Sequence, residues 1–129
     1  MTDIKRVIEF SKGEFLKYAE LTFIDLDEVK DKLDIYIGLN ENGDIPLGEK
    51  DEIFIDVKGT KGVISGSNAG SVLIAVYRFF IECGCRFLRP GKDGEYINKC
   101  NLKGWIVNRI NIDNHLDIYA SAEEEIKFE

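Results

Sequence analysis

The sequence predicts one α/β domain, and three observations carry the prediction. Apolar residues alternate at period two through Leu33–Leu39 and again through Ile53–Val57, the pattern of half-buried strands. Between residues 68 and 83 they recur instead at helical spacing, over a stripe wide enough to bury a helix on more than one side. The length of 129 residues fits a single domain of the usual ~100–200 and leaves no room for a second.

At the N-terminus, Ile4, Ile8 and Phe10 share one parity and predict a short strand over Ile4–Phe10. Ser11-Lys12-Gly13-Glu14 then has the spacing of a capping box, in which Ser accepts from a backbone N–H and Glu reaches back. Phe15, Tyr18, Ala19 and Leu21 follow at helical spacing and predict a helix over about 12–22. The charged run Asp25–Lys32 reads as a short helical turn or a loop. Leu33, Ile35, Ile37 and Leu39 share one face of a strand, and Asn40–Lys50, with Asn42-Gly43, Pro46 and Gly48, reads as a surface loop. Ile53, Ile55 and Val57 define a second strand. Gly59 and Gly62 mark a turn before a third strand around Gly62–Ser65, and the three strands are expected as neighbours in one sheet.

Asn68 or Ser67 is placed to cap the following helix, which runs to Cys83, and Gly84 stands where a left-handed C-terminal cap belongs. Ala69, Val72, Leu73, Val76, Tyr77, Phe80 and Cys83 form its stripe, widened by Ile74, Phe79 and Ile81; Ser71, Arg78 and Glu82 make its polar side. Cys85-Arg86-Phe87-Leu88 predicts a short strand stopped by Arg89-Pro90-Gly91. Trp105–Ile112 alternates like a strand, and Ile118–Phe128 reads as an acidic tail.

Lys plus Arg number 17 against 24 Asp plus Glu, a formal net charge of −7. An acidic surface repels phosphate backbones, and the linear sequence gathers Lys and Arg into no patch, so nucleic acid is not an expected partner. At 44% hydrophobic residues the composition is that of a globular domain. The longest apolar run, Val72–Tyr77, falls far short of the ~20 residues a bilayer needs, so no membrane partner is expected. The first residues lack the apolar stretch of a secretory signal, which fits a cytosolic chain or a piece of a longer one; the compartment stays open.

Cys83, Cys85 and Cys100 are odd in number, and the one-residue gap between the first two suits neither a redox Cys-x-x-Cys nor a zinc knuckle; buried or idle thiols are expected. His115 is the one histidine, in a polar stretch, and reads as a solvated loop or strand-end residue. No metal, cofactor or catalytic residue is therefore assigned.

Gly62-Val-Ile-Ser-Gly66-Ser-Asn-Ala-Gly70-Ser invites a phosphate-loop reading. It lacks the Lys-Ser/Thr of a P-loop, and Gly66 with Gly70 does not complete G-x-G-x-x-G. A helix start can hold an anion on its free N–H groups, but tight strand-to-helix turning explains these glycines equally well. Carboxylates are so abundant that chance pairs occur everywhere, and no pair has the apolar flanks that would raise one pKa for glycosidic acid catalysis. Glu123-Glu124-Glu125 reads as a solvated face. Tyr36, Tyr96, Trp105 and Tyr119 are available to stack on sugars, though half-buried sheet positions are the plainer reading. Composition and spacing stop at a soluble α/β domain that is not an enzyme by itself.

The stretch 59–97 carries more. Ile64-Ser65-Gly66, Gly70, Ala75-Val76-Tyr77, Phe79-Phe80-Ile81-Glu82, Gly84-Cys85-Arg86-Phe87 and Pro90-Gly91 stand in the order of a known pattern. It resembles the N-terminal accessory domain of glycoside hydrolases: the β-N-acetylhexosaminidases, the α-glucuronidases and related large glycosidases. The motif covers about 40 residues, and the looser element order about 100. Phe87 stands where the pattern has Trp, and Ser67-Asn68-Ala69 where it has an Arg before the helix.

The resemblance implies an α+β architecture, a small mixed β-sheet with helices packed on one face, and a single accessory-type domain over 1–129. In that family the catalytic carboxylates lie on a following (β/α)8 barrel, so none maps onto this chain. The implied function is non-catalytic: bracing the catalytic domain of a glycoside hydrolase, or shaping the approach of a glycan. The relatives are often secreted or periplasmic. A rival reading is a free-standing interaction or regulatory protein that retains the fold without the enzyme, and a third is a small independent enzyme. Arg78, Glu82 and Arg86 are candidate domain-interface contacts, against the plainer reading of a solvated helix edge. Cys85 reads as a small buried packing residue.

Overall fold

In the computed structural model, which describes residues 2–87, 94–104 and 106–112 and, within them, the side chains of 4–87 and 94–104, the first element is one long helix, α1 (Thr2–Thr22). The strand expected over Ile4–Phe10 is therefore corrected. Ile8, Ser11, Phe15, Tyr18, Ala19 and Thr22 follow one another at helical spacing, and five of them lie on a buried face with Ile8 at its edge. The capping box is corrected with it: Ser11 is mid-helix and fully buried, and its hydroxyl donates to the Val7 carbonyl one turn back at 2.9 Å.

Asp25–Lys32 is helical, as α2 (Leu26–Val29) followed by a 3-10 turn (Lys30–Lys32). Strands β1 (Asp34–Leu39), β2 (Ile53–Lys58) and β3 (Lys61–Gly66) fall where the alternation places them. Helix α3 (Ala69–Glu82) follows, then the short strands β4 (Arg86–Phe87) and β5 (Glu95–Tyr96), which pair antiparallel, and β6 (Ile106–Ile112). Leu88, Arg89-Pro90-Gly91, Trp105, His115, Tyr119 and the Ile118–Phe128 tail, with Glu123–Glu125, lie outside the described residues.

The fold is mixed α+β. Its main sheet has the order β1-β3-β2-β6, with β1 parallel to β3 and the other neighbours antiparallel. β2 and β3 are a hairpin closed by Gly59-Thr60, with Lys58 opposite Lys61. Gly59 has φ +61 at the first central position, where a type II′ turn needs glycine. The inward parity of the strands (Ile37 on β1; Ile53, Ile55 and Val57 on β2; Ile64 on β3) forms one core with Val72, Val76, Phe79 and Phe80 of α3. Helix α1 covers α3 through an aromatic cluster. Phe15 stands 5.9 and 5.6 Å from the Phe79 and Phe80 ring centres, and Phe23 stands 6.2 and 6.0 Å from them. Burying each such ring stabilises by about 1.5–3 kcal/mol, with ~0.5–1.5 kcal/mol more per well-oriented pair.

Helix α3 is buried over most of its girth, with the stripe of Gly70, Leu73, Ile74 and Tyr77 open in part to solvent. The polar side expected from Ser71, Arg78 and Glu82 is corrected: Ser71 is fully buried, Arg78 is 7% exposed, and only Glu82 is partly open. Both helix ends match expectation. The Asn68 side chain accepts from the Ser71 N–H at 2.9 Å, and Gly84 takes φ +102 beyond the C-terminus.

A second anchor ties the segment 98–104 to the end of α1. Cys100 N–H donates to the Thr22 carbonyl and Ile24 N–H to the Cys100 carbonyl, both at 2.9 Å. The buried Asp25 carboxylate accepts from the Leu102 and Lys103 N–H groups at 2.7 and 3.0 Å. Burial raises its pKa, but these two donors and the charge of Lys103 outweigh that and hold it below the ordinary value.

Two outcomes follow. Phe80→Ala costs about 3–5 kcal/mol in urea denaturation, whereas Leu16→Ala, at an exposed position, changes stability by ~0.5 kcal/mol or less. The lowered pKa of Asp25 adds stability that is fully present above the unfolded value of about 3.9 and lost as pH falls through the lower folded value. Unfolding free energy measured across that acid range falls less steeply in Asp25→Asn than in the parent chain.

Candidate functional site

The carboxyl ends of the parallel strands β1 and β3 lie at one end of the sheet, where such folds commonly bind ligands. Here the loop 40–52 must pass over the end of β3 to carry the chain from β1 to β2, and it does so across the turn that opens α3. The turn's polar groups hold it. Ser67 Oγ donates to the Lys50 carbonyl at 2.6 Å and accepts from the Glu52 N–H at 2.8 Å, while Asn68 Nδ2 donates to the Gly48 carbonyl at 3.0 Å. Gly66 is required because a Cβ there would lie 2.6 Å from the Ser71 and Val72 backbone.

Asp51 decides what this end accepts. Its Oδ1 receives Asn68 Nδ2 at 2.9 Å and Ser71 Oγ at 3.1 Å, so a carboxylate of the chain already stands at the start of α3. An incoming phosphate would meet that charge and the neighbouring Glu49. The adjoining cleft of about 560 Å³ is walled by Ile4, Leu39 and Leu47, with Glu49 and Asp51 among its polar lining. The turn is a packing device, and the close approach at Gly66 accounts for that glycine of the motif.

Arg78 and Glu82 pair at the other end of α3, and Arg86 lies just beyond it on backbone carbonyls. Arg78 Nε donates to Glu82 Oε2 at 3.2 Å, one turn along the helix. Arg86 Nη1 donates to the Cys85 and Ile81 carbonyls at 2.7 and 3.3 Å, satisfying acceptors at the helix C-terminus. Arg78 is buried within the chain and is therefore no solvated edge.

A constellation that sequence reasoning missed joins α1, α3 and β5. Tyr18 donates to Glu95 Oε2 at 2.8 Å and Tyr77 to Glu14 Oε1 at 2.6 Å, across 77 and 63 residues of sequence. Phe87 packs edge-on against both rings, at 5.3 and 5.4 Å. Burial, then the bonded carboxylates, push both phenols far above their ordinary range, so they remain protonated donors. The partners are too distant in sequence for any spacing rule to reveal. Tyr36 and Tyr96 are exposed, but they lie on separate sheets and form no shared stacking platform.

The thiols divide as their burial dictates. Cys83 and Cys85 are inaccessible, and Cys85 lies against Thr22 Oγ1 at 3.5 Å. Burial raises Cys83, and the hydrogen bond it shares with half-buried Cys100 raises it further while lowering Cys100. Among the described residues no group of three or more His, Cys, Asp or Glu is placed to hold a metal, and no helix is long and apolar enough to cross a membrane.

The surface of α1 offers apolar side chains. Phe10 and Leu21 lie three turns apart on one side of α1, each exposed, and Ile24 just beyond the helix is 66% exposed. On the flank facing β1, exposed Leu16 lines a groove of about 330 Å³ with Lys12, Phe15, Leu33, Ile35 and Ile37. These residues, presented by an α+β scaffold, define a domain with an uncovered helix. No protein-family model, curated protein or solved structure matches the chain.

Alkylation reads the thiols directly. In native protein, iodoacetamide labels Cys100 first, and Cys83 and Cys85 react only on unfolding; peptide mass mapping with equal native rates at all three would contradict the burial order.

Proposed function

We propose that the chain is a non-catalytic accessory domain that packs through α1 against the catalytic domain of a glycoside hydrolase, bracing it or shaping the approach of its glycan. One observation carries the reading: large apolar side chains, Ile4, Phe10, Leu16, Leu21 and Ile24, are exposed along one helix and the turn after it. Phe10 and Leu21 share one side of α1, with Ile24 just beyond it, and a partner covering that side explains why a domain with a well-filled core keeps them outside. The resemblance over 59–97 supplies the kind of partner. The polar clusters agree with a structural role, since the Tyr–Glu pairs and the Arg78–Glu82 pair each join elements or turns of the chain itself.

The source DNA downstream of the Glu129 codon is the first test. A reading frame that continues into alternating β and α patterns is the expected result, and a partner domain made with this one should lose its joint unfolding transition in Phe10→Asp/Leu21→Asp. A stop codon with no barrel gene nearby would favour the free-standing interaction protein. The chain by itself is expected to turn over no aryl glycoside; turnover abolished by a single carboxylate substitution would overturn the non-catalytic reading.

A further inference from the structure

The opposite end of the sheet has the reverse charge. A depression of about 530 Å³ is lined by Lys32 from the 3-10 turn, Lys58 and Lys61 from the β2–β3 hairpin, Gly59 and Thr60 between them, and Lys103 from the loop before β6. Four lysines thus converge in a chain whose net charge is −7. Their sequence positions are scattered, so only folding makes the patch.

Two features set this ring apart from an ordinary basic surface. Lys58 and Lys61 are direct cross-strand partners, an arrangement in which like charges repel. Among the described residues, Lys32, Lys58 and Lys61 also form no ion pair. Lys103 pairs with Glu28 at 4.0 Å, where both side chains are well exposed, and its charge also acts on the buried Asp25 carboxylate. Two carboxylates stand near in the sheet: Asp34 is the register partner of Lys61 on β1, and Asp56 lies two residues before Lys58 on β2. The backbone is drawn in as well: Gly59 approaches the Lys103 carbonyl so closely that a Cβ would stand 3.2 Å from it, which brings the hairpin and the 103–104 loop together as two walls.

We propose that this depression binds a small oligoanion, a ligand carrying two or more clustered phosphate or carboxylate groups. Ammonium groups on long flexible stems suit such a ligand, because each acts as a compact point charge and rotates to meet an oxygen. A long polyanion fits poorly, since the acidic remainder of the surface repels whatever extends beyond the ring. The site is independent of the α1 face: it lies at the amino end of β3, and none of its lining residues belongs to that helix.

Calorimetric titration of the chain at about 0.05 M salt, where charges remain weakly screened, tests this with inorganic tripolyphosphate and with citrate. The expected result is saturable one-to-one binding of at least one probe below about 1 mM, weakened by ~10-fold or more in Lys58→Gln/Lys61→Gln and unchanged in the α1 control Lys12→Gln/Lys17→Gln. Tripolyphosphate binding alone identifies a phosphate ligand, citrate binding alone a polycarboxylate, and each supports the site. Thermal unfolding keeps the result interpretable. Without ligand the hairpin variant melts no lower than the parent, because a repulsive pair has been removed; the bound probe raises the melting temperature of the parent and not of the variant. No saturable binding of either probe, or equal weakening by the control pair, overturns the proposal.

Discussion

The structure depends on one constraint: helix α3 is buried over most of its girth. Val72, Val76, Phe79 and Phe80 face the sheet and α1 with no exposure, while the stripe of Gly70, Leu73, Ile74 and Tyr77 is open in part to water. A helix in that position must close every polar group on itself or on a neighbour. Ser71 is closed by Asn68 and Asp51, Arg78 is paired with Glu82, and Arg86 meets the Ile81 carbonyl of the last turn and the Cys85 carbonyl just beyond the helix. The close approach of β3 at Gly66 is part of the same requirement, because the strand must deliver the chain directly into the buried helix.

This arrangement gives the two ends of the sheet different characters. At the carboxyl end of β3 the loop 40–52 crosses the turn and places Asp51 at the helix start, so the feature most like an anion site is filled by the chain's own carboxylate. At the amino end the hairpin and the 103–104 loop face one another with lysines on both walls. Helix α1, which covers α3 with Phe15 and Tyr18 and with Phe23 just beyond its end, leaves its outer side uncovered. Fold and surface together describe a scaffold with one apolar face and one basic depression, each fed by different elements.

Much of this was legible from the residues. The period-two strands and the Gly84 terminus stand where local pattern put them, and the turn read over 58–62 closes the β2–β3 hairpin. Asn68 is the one of the two candidate caps that bonds the helix, and the short strand read over 85–88 is seen at Arg86–Phe87. Helix α1 was not fully legible, because Ile4, Ile8 and Phe10 satisfy a strand parity as well as they fit a helix. Phe10, exposed in the structure, is the residue that misleads: alternation counts it as core, and only the packing against α3 shows which face is inward.

The sequence by itself determined the local conformations, since capping, turn chemistry and apolar period act over a few residues and need no partner. It also determined that α3 would be a deeply buried helix, because a stripe that wide has nowhere else to go. Only the tertiary structure decided which polar groups meet. The Tyr18–Glu95 and Tyr77–Glu14 bonds, the Asp25 anchor and the lysine ring join residues separated by up to 78 positions. Such encounters are set by strand order and helix placement, which depend on how the whole core closes and not on any local spacing.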